Sequence, residues 1–146
     1  MQIISVINQK GGVGKTTTVI NLAAGLSQLN KKILVIDLDP QGNATTGLGL
    51  SNTDNSSETI YGVLNGTKEI FQAIKKTQFE NLDLITSNVD LSGLEVETAN
   101  DTNRAFILKR KIAAYLNDSR GPYDYILIDC PPSLSLLTVM ALVCSG

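Results

Sequence analysis

The sequence predicts an α/β domain, a mainly parallel sheet flanked by helices. Three observations carry this prediction. Four short apolar runs, residues 2–7, 33–36, 82–85 and 125–128, are rich in β-branched residues and read as strands buried on both faces. Helical patterns lie between them. A glycine-rich turn joins the first strand to the first helix, and strand, helix and strand complete a βαβ unit by Ile36. With 146 residues there is room for one domain of ordinary size.

The elements follow in order. After the first strand comes the turn Lys10-Gly11-Gly12-Val13-Gly14, then a helix from Thr16. Its Val19, Leu22, Ala23 and Leu26 fall at i, i+3, i+4 and i+7 on one apolar face. Lys31 and Lys32 follow its end, where cations suit the helix dipole. Residues 33–36 form the second strand. Residues 39–58 are rich in Gly, Asn, Ser and Thr, and a polar connection this long is functional or mobile. Two short helices are expected near 59–64 and 69–75, then a third strand at 82–85. Ala105, Leu108, Ile112 and Tyr115 mark an amphipathic helix, and Lys109, Arg110 and Lys111 read as its solvated face. Gly121-Pro122 breaks that helix, the fourth strand runs to Asp129, Pro131-Pro132 stops it, and residues 136–143 form a last helix.

Composition removes several functions. There is no histidine, which excludes His-based acid–base catalysis and His-ligated metals. Two cysteines, Cys130 and Cys144, make neither a disulfide framework nor a zinc site and read as buried thiols. A net charge of −2 argues against a wholly basic nucleic-acid surface, and 42% hydrophobic residues rule out disorder. The first apolar run is too short for a signal peptide, and no stretch approaches the roughly 20 apolar residues of a membrane span. A soluble, cytoplasmic protein is expected.

The strongest signal is Lys10-Gly11-Gly12-Val13-Gly14-Lys15-Thr16-Thr17 between a strand and a helix. Glycines let backbone N–H groups converge on a phosphate, and the helix start adds its unpaired N–H groups and positive dipole end. Lys15 suits the β- and γ-phosphates, and the Thr16 hydroxyl suits Mg²⁺. The usual phosphate loop has glycine where this chain has Gln9, so the loop is a variant with an extra lysine at Lys10. A chance glycine turn leaves the eight well-placed residues unexplained. A dinucleotide fingerprint fails at Thr17, where its third small residue belongs, and leaves Lys15 without a role. Asp129, at the end of a buried strand, is the natural carboxylate for Mg²⁺, direct or through water. Asp37 and Asp39 stand at the mouth of the second strand, one to position an attacking water and the other to organise the metal shell.

Together these motifs resemble the deviant Walker A ATPases of the ParA/MinD group, above all the ParA (Soj) type of chromosome and plasmid partitioning. Besides the loop and Asn21-Leu22-Ala23, the resemblance rests on Asp37-Leu38-Asp39-Pro40-Gln41-Gly42-Asn43. It continues through Ser87-Asn88 with Leu91, Gly93 and Glu95, and closes with Asp129-Cys130-Pro131-Pro132-Ser133-Leu134. It implies a P-loop NTPase fold that binds ATP and Mg²⁺ through Lys10, Gly11, Gly12, Val13, Gly14, Lys15, Thr16 and Thr17. It casts Lys10 as the signature lysine reaching a partner's nucleotide, Lys15 as the phosphate lysine and Asp39 as the catalytic aspartate. Thr16, Asp37 and Asp129 are then the residues around the metal.

By the same resemblance, ATP closes a homodimer, the full-length dimer binds DNA non-specifically at the nucleoid, and a ParB-like centromere-binding protein triggers hydrolysis. Membrane-associated relatives carry a basic amphipathic helix, which is not seen here, so no membrane partner is expected. Family members continue past residue 146 into strands and helices that supply adenine, dimer and DNA contacts. Residues 1–146 therefore resemble the N-terminal portion of a single such domain, truncated at its C-terminus. Two expectations follow: an ATPase of the partition type, or an inactive or unstable fragment that at most binds nucleotide or pairs with a full-length relative.

Overall fold

The computed structural model describes residues 1–7, 13–51, 55–118 and 122–145, with the backbone alone for residues 13–17. Strand β1 (Gln2–Val6) precedes helix α1 (Val13–Gln28), and β2 (Ile33–Asp37) follows it. Short helices α2 (Asn43–Gly47), α3 (Ile60–Leu64) and α4 (Ile70–Ala73) lead to β3 (Ile74–Lys76) and β4 (Leu82–Ile85). Then come α5 (Leu94–Glu97), α6 (Ile107–Asn117), β5 (Tyr125–Asp129) and α7 (Leu136–Ser145).

The strands form one sheet in the order β1-β5-β2-β4-β3. The first four are parallel neighbours, and β3 closes one edge antiparallel to β4. All five residues of β2 are buried, because the strand is central and covered on both faces. Alternation along the strands sorts them between two cores. Leu34, Ile36, Ile126 and Ile128 pack with α6 and α7 residues such as Leu108 and Met140. Ile33, Val35, Leu82, Leu84 and Leu127 pack on Val19 and Ala23 of α1. Truncating a fully buried residue such as Leu34 to alanine costs about 2–5 kcal/mol.

Several elements depart from the sequence reading. Helix α1 begins at Val13 rather than Thr16, and its buried stripe is Val19 and Ala23, while Leu22 is exposed. The polar stretch after Asp39 is partly ordered into α2 and a 3-10 turn at Ser56–Glu58. The helix expected at 69–75 stops at Ala73, because Ile74 is extended (φ −69°, ψ 130°) and opens the edge strand. Helix α5 and the 3-10 turns Val89–Gly93 and Arg104–Phe106 are additional. Lys109 and Arg110 are exposed as expected. Lys111 instead pairs with Glu69 at 2.7 Å and donates to the Lys68 carbonyl at 3.3 Å, tying α6 to the start of α4.

Candidate nucleotide and metal site

Parallel pairing puts Val6, Asp129 and Asp37 in one row across β1, β5 and β2 at the C-terminal end of the sheet. Ligand crevices of parallel α/β sheets open at this end. Strand β1 therefore ends beside Asp129. Lys10, Gly11 and Gly12 lie outside the described residues. Val13, Gly14, Lys15, Thr16 and Thr17 form the N-terminal end of α1, and roles expected of their side chains lie outside what is described.

Asp37 and Asp129 are both buried. Asp37 Oδ2 accepts the backbone N–H of Thr45 at 2.8 Å and the Thr45 hydroxyl at 2.7 Å, while Oδ1 accepts the Asp39 N–H at 3.1 Å. Burial pushes the Asp37 carboxyl up to about 7, with the Asp129 carboxylate adding to the rise and these hydrogen bonds opposing it. Two desolvated carboxylates sharing one strand-end row suit a divalent cation, which neutralises both. Among the described residues no group of three or more His, Cys, Asp and Glu side chains could hold a metal alone. Two carboxylates fit Mg²⁺, which takes one or two and completes its shell with water and phosphate oxygens.

Asp39, two residues beyond the strand end, is 3% exposed. Its Oδ1 accepts the Gln41 N–H at 3.0 Å, and its carbonyl accepts the Gly42 N–H at 2.8 Å. Gly42 stands in the left-handed region (φ 66°), where glycine carries no Cβ penalty, and turns the chain into α2. That turn delivers Thr45 to Asp37. A cavity of about 340 Å³ opens beside Asp39, lined also by Pro131, Pro132 and Leu136.

Sequence reasoning missed the residues that hold these carboxylates. The Thr45 hydroxyl accepts the Ser87 N–H at 3.1 Å while donating to Asp37, and the Ser87 hydroxyl donates to the Asp39 carbonyl at 2.8 Å. Both side chains are fully buried. Ser87, two residues beyond β4, belongs to the Ser87-Asn88 pattern, but nothing in the spacing links it to Thr45 across 42 residues.

A larger cavity of about 490 Å³ lies among Lys32, Lys76, Asp83 and Tyr123, at the N-terminal end of β2 and β5. The Tyr123 hydroxyl donates to Asp83 Oδ2 at 2.6 Å there, and burial raises its pKa. It lies at the opposite end of the strands from the buried carboxylates. No helix among the described residues is long and apolar enough to cross a membrane.

A family model described as an AAA domain matches residues 1–146. The sporulation initiation inhibitor protein Soj of Bacillus subtilis is 46% identical over 144 residues, which are 99% of this chain and 55% of that protein. The chromosome partitioning protein ParA of Caulobacter vibrioides is 45% identical over 97% of this chain and 52% of its own length. Among solved structures, cobyrinic acid a,c-diamide synthase from Mycobacterium smegmatis, with bound ATP analogue and magnesium, superposes with a TM-score of 0.89. That match has 38% identity and covers 99% of this chain and 57% of the synthase. The chain thus spans about half the length of the curated relatives it matches.

Proposed function

The chain belongs to this AAA domain family, and from that premise we propose that it carries the nucleotide site of a ParA-type partition ATPase that hydrolyses ATP with Mg²⁺. The observation that carries the reading is the row of Val6, Asp129 and Asp37, which sets two buried carboxylates beside the strand that enters the glycine-rich loop.

In this reading the loop amides from Gly11 to Thr17 cradle the phosphates, and Lys15 neutralises them. Lys10 adds charge at the nucleotide of a second copy, as an arginine finger does in other phosphoryl transfers. Asp39 orients the attacking water, held by Ser87 and Gln41 through the bonds described above. Thr16, Asp37 and Asp129 hold Mg²⁺, which when bound neutralises charge developing on the transferred phosphoryl group. The Asp37 carboxyl, lifted by burial, is poised to gain from that charge.

In the whole protein, ATP closes a homodimer that binds DNA non-specifically at the nucleoid in the cytoplasm, and a ParB-like partner stimulates turnover. Steady-state hydrolysis tests the chemical part. Lys15→Ala should abolish nucleotide binding. Asp39→Ala should retain it and lose at least tenfold in kcat, about 1.4 kcal/mol of barrier. Unchanged turnover in the Asp39 variant would remove that residue from the reaction.

A further inference from the structure

The pattern Ser87-Asn88, Leu91, Gly93 and Glu95 has no role in the scheme above beyond Ser87, yet it lies between the two loops that flank the cavity at Asp39. At one end the Ser87 hydroxyl donates to the Asp39 carbonyl. Asn88 Oδ1 accepts the Asp90 N–H at 3.0 Å, its amide donates to the Ser56 hydroxyl at 2.9 Å, and Leu91 anchors the segment in the core. At the other end Glu95 Oε1 accepts the N–H of Leu136, the first residue of α7, at 3.0 Å. The Glu95 carbonyl is held in turn by Arg104 Nη1 at 2.9 Å.

The turn from Asp129 to α7 contains Pro131 and Pro132, which have no N–H to donate. It is fastened near its start by the Cys130 N–H to the Val6 carbonyl (3.2 Å) and beyond its end by Glu95. A carboxylate on the first N–H groups of a helix is favoured by hydrogen bonding and by the dipole. Glu95 also lines the cavity, as Asp39 does.

We propose that Glu95 is a positioning residue, resting on the ATPase reading above: its carboxylate fixes the turn after β5 against the Asp39 loop, so that the cavity walls keep their separation during hydrolysis. It does not touch the reacting atoms. Its loss lets the proline wall shift while α1 and the strand-end row stay in place. Nucleotide affinity is then kept and turnover falls, since a displacement of about 1 Å can cost on the order of 10²-fold in rate.

The test uses the wild-type chain, Glu95→Ala and Glu95→Gln, because glutamine keeps an acceptor oxygen. Amide hydrogen exchange is measured at Leu136 and the first turn of α7, and kcat and the Kd for a fluorescent ATP analogue are measured in Mg²⁺. Glu95→Ala should exchange at least tenfold faster there with β2 unchanged. Its kcat should fall tenfold or more with Kd within threefold, and Glu95→Gln should recover both. Unaltered exchange in Glu95→Ala, turnover within twofold of wild type, or equal losses in kcat and affinity would overturn the proposal. A wild-type chain without turnover would instead refute the ATPase reading, leaving exchange to decide whether Glu95 fastens the turn.

Discussion

Replacing Thr45 with valine removes one hydroxyl from the buried lattice and leaves its shape nearly unchanged. That hydroxyl donates to Asp37 Oδ2 at 2.7 Å and accepts the Ser87 N–H at 3.1 Å, both away from water. Hydrogen bonds to a charged group contribute about 1.5–3 kcal/mol, and a buried donor left unpaired costs about 1–3 kcal/mol. The Thr45 N–H remains on the same carboxylate oxygen at 2.8 Å, so the two losses overlap. The expected destabilisation is about 2–4 kcal/mol. For a chain of this size that is a fall in Tm of roughly 6–12 °C, at about 3 °C per kcal/mol. Urea denaturation reads it as a lower midpoint at unchanged slope. Thr45→Ser keeps the hydroxyl, loses only a methyl group, and should cost about 1 kcal/mol. Valine within about 0.5 kcal/mol of wild type, or serine as damaging as valine, would refute the assignment of this hydroxyl as the link between β2 and β4.

Other perturbations test other parts. The Asp37 carboxyl titrates near 7 in the fold against an ordinary 3.8, so its contribution to stability is full below about pH 3.8 and is lost as pH rises to 7. In chelator, the urea midpoint of wild type should therefore fall relative to that of Asp37→Asn between pH 5 and pH 8; parallel profiles would contradict it. Gly62→Ala sets a Cβ 2.1 Å from the Ser57 carbonyl oxygen and 2.6 Å from its carbon, a clash with backbone that cannot rotate away. It should destabilise by about 3 kcal/mol or more in chemical denaturation. Tyr123→Phe loses the bond to Asp83 at the far end of the strands. It should lower stability by about 1 kcal/mol and leave nucleotide affinity unchanged in a direct titration.

The parallel strands were legible because a strand covered on both faces must be apolar throughout, and each such run ends within one residue of where the structure ends it, β2 and β5 at Asp37 and Asp129. Helix α6 was legible from its stripe of Leu108, Ile112 and Tyr115. Among the one-turn helices, α3 and α4 were expected near 59–64 and 69–75, whereas α2 and α5 were not, since four or five residues are too few to show a period. Helix α2 is fastened instead by Thr45 to a carboxylate eight residues earlier. Strand β3 was hidden because three residues, two of them lysines, look like a helix end until pairing with β4 defines them. Of the candidate site, the acidic positions could be read from strand ends. Thr45 and Glu95 could not be assigned roles, because their partners lie at the ends of elements brought together only by the fold.

The central claim, that two buried carboxylates and a glycine-rich loop form one site for Mg²⁺ and nucleotide, is tested most directly by calorimetric titration of ATP. The titration is run in Mg²⁺ and in chelator, on the wild-type chain and on Lys15→Ala. The account predicts saturable binding that is strengthened at least tenfold by Mg²⁺ and abolished in the variant. Binding of equal strength with and without Mg²⁺, or binding that survives the loss of Lys15, would contradict it.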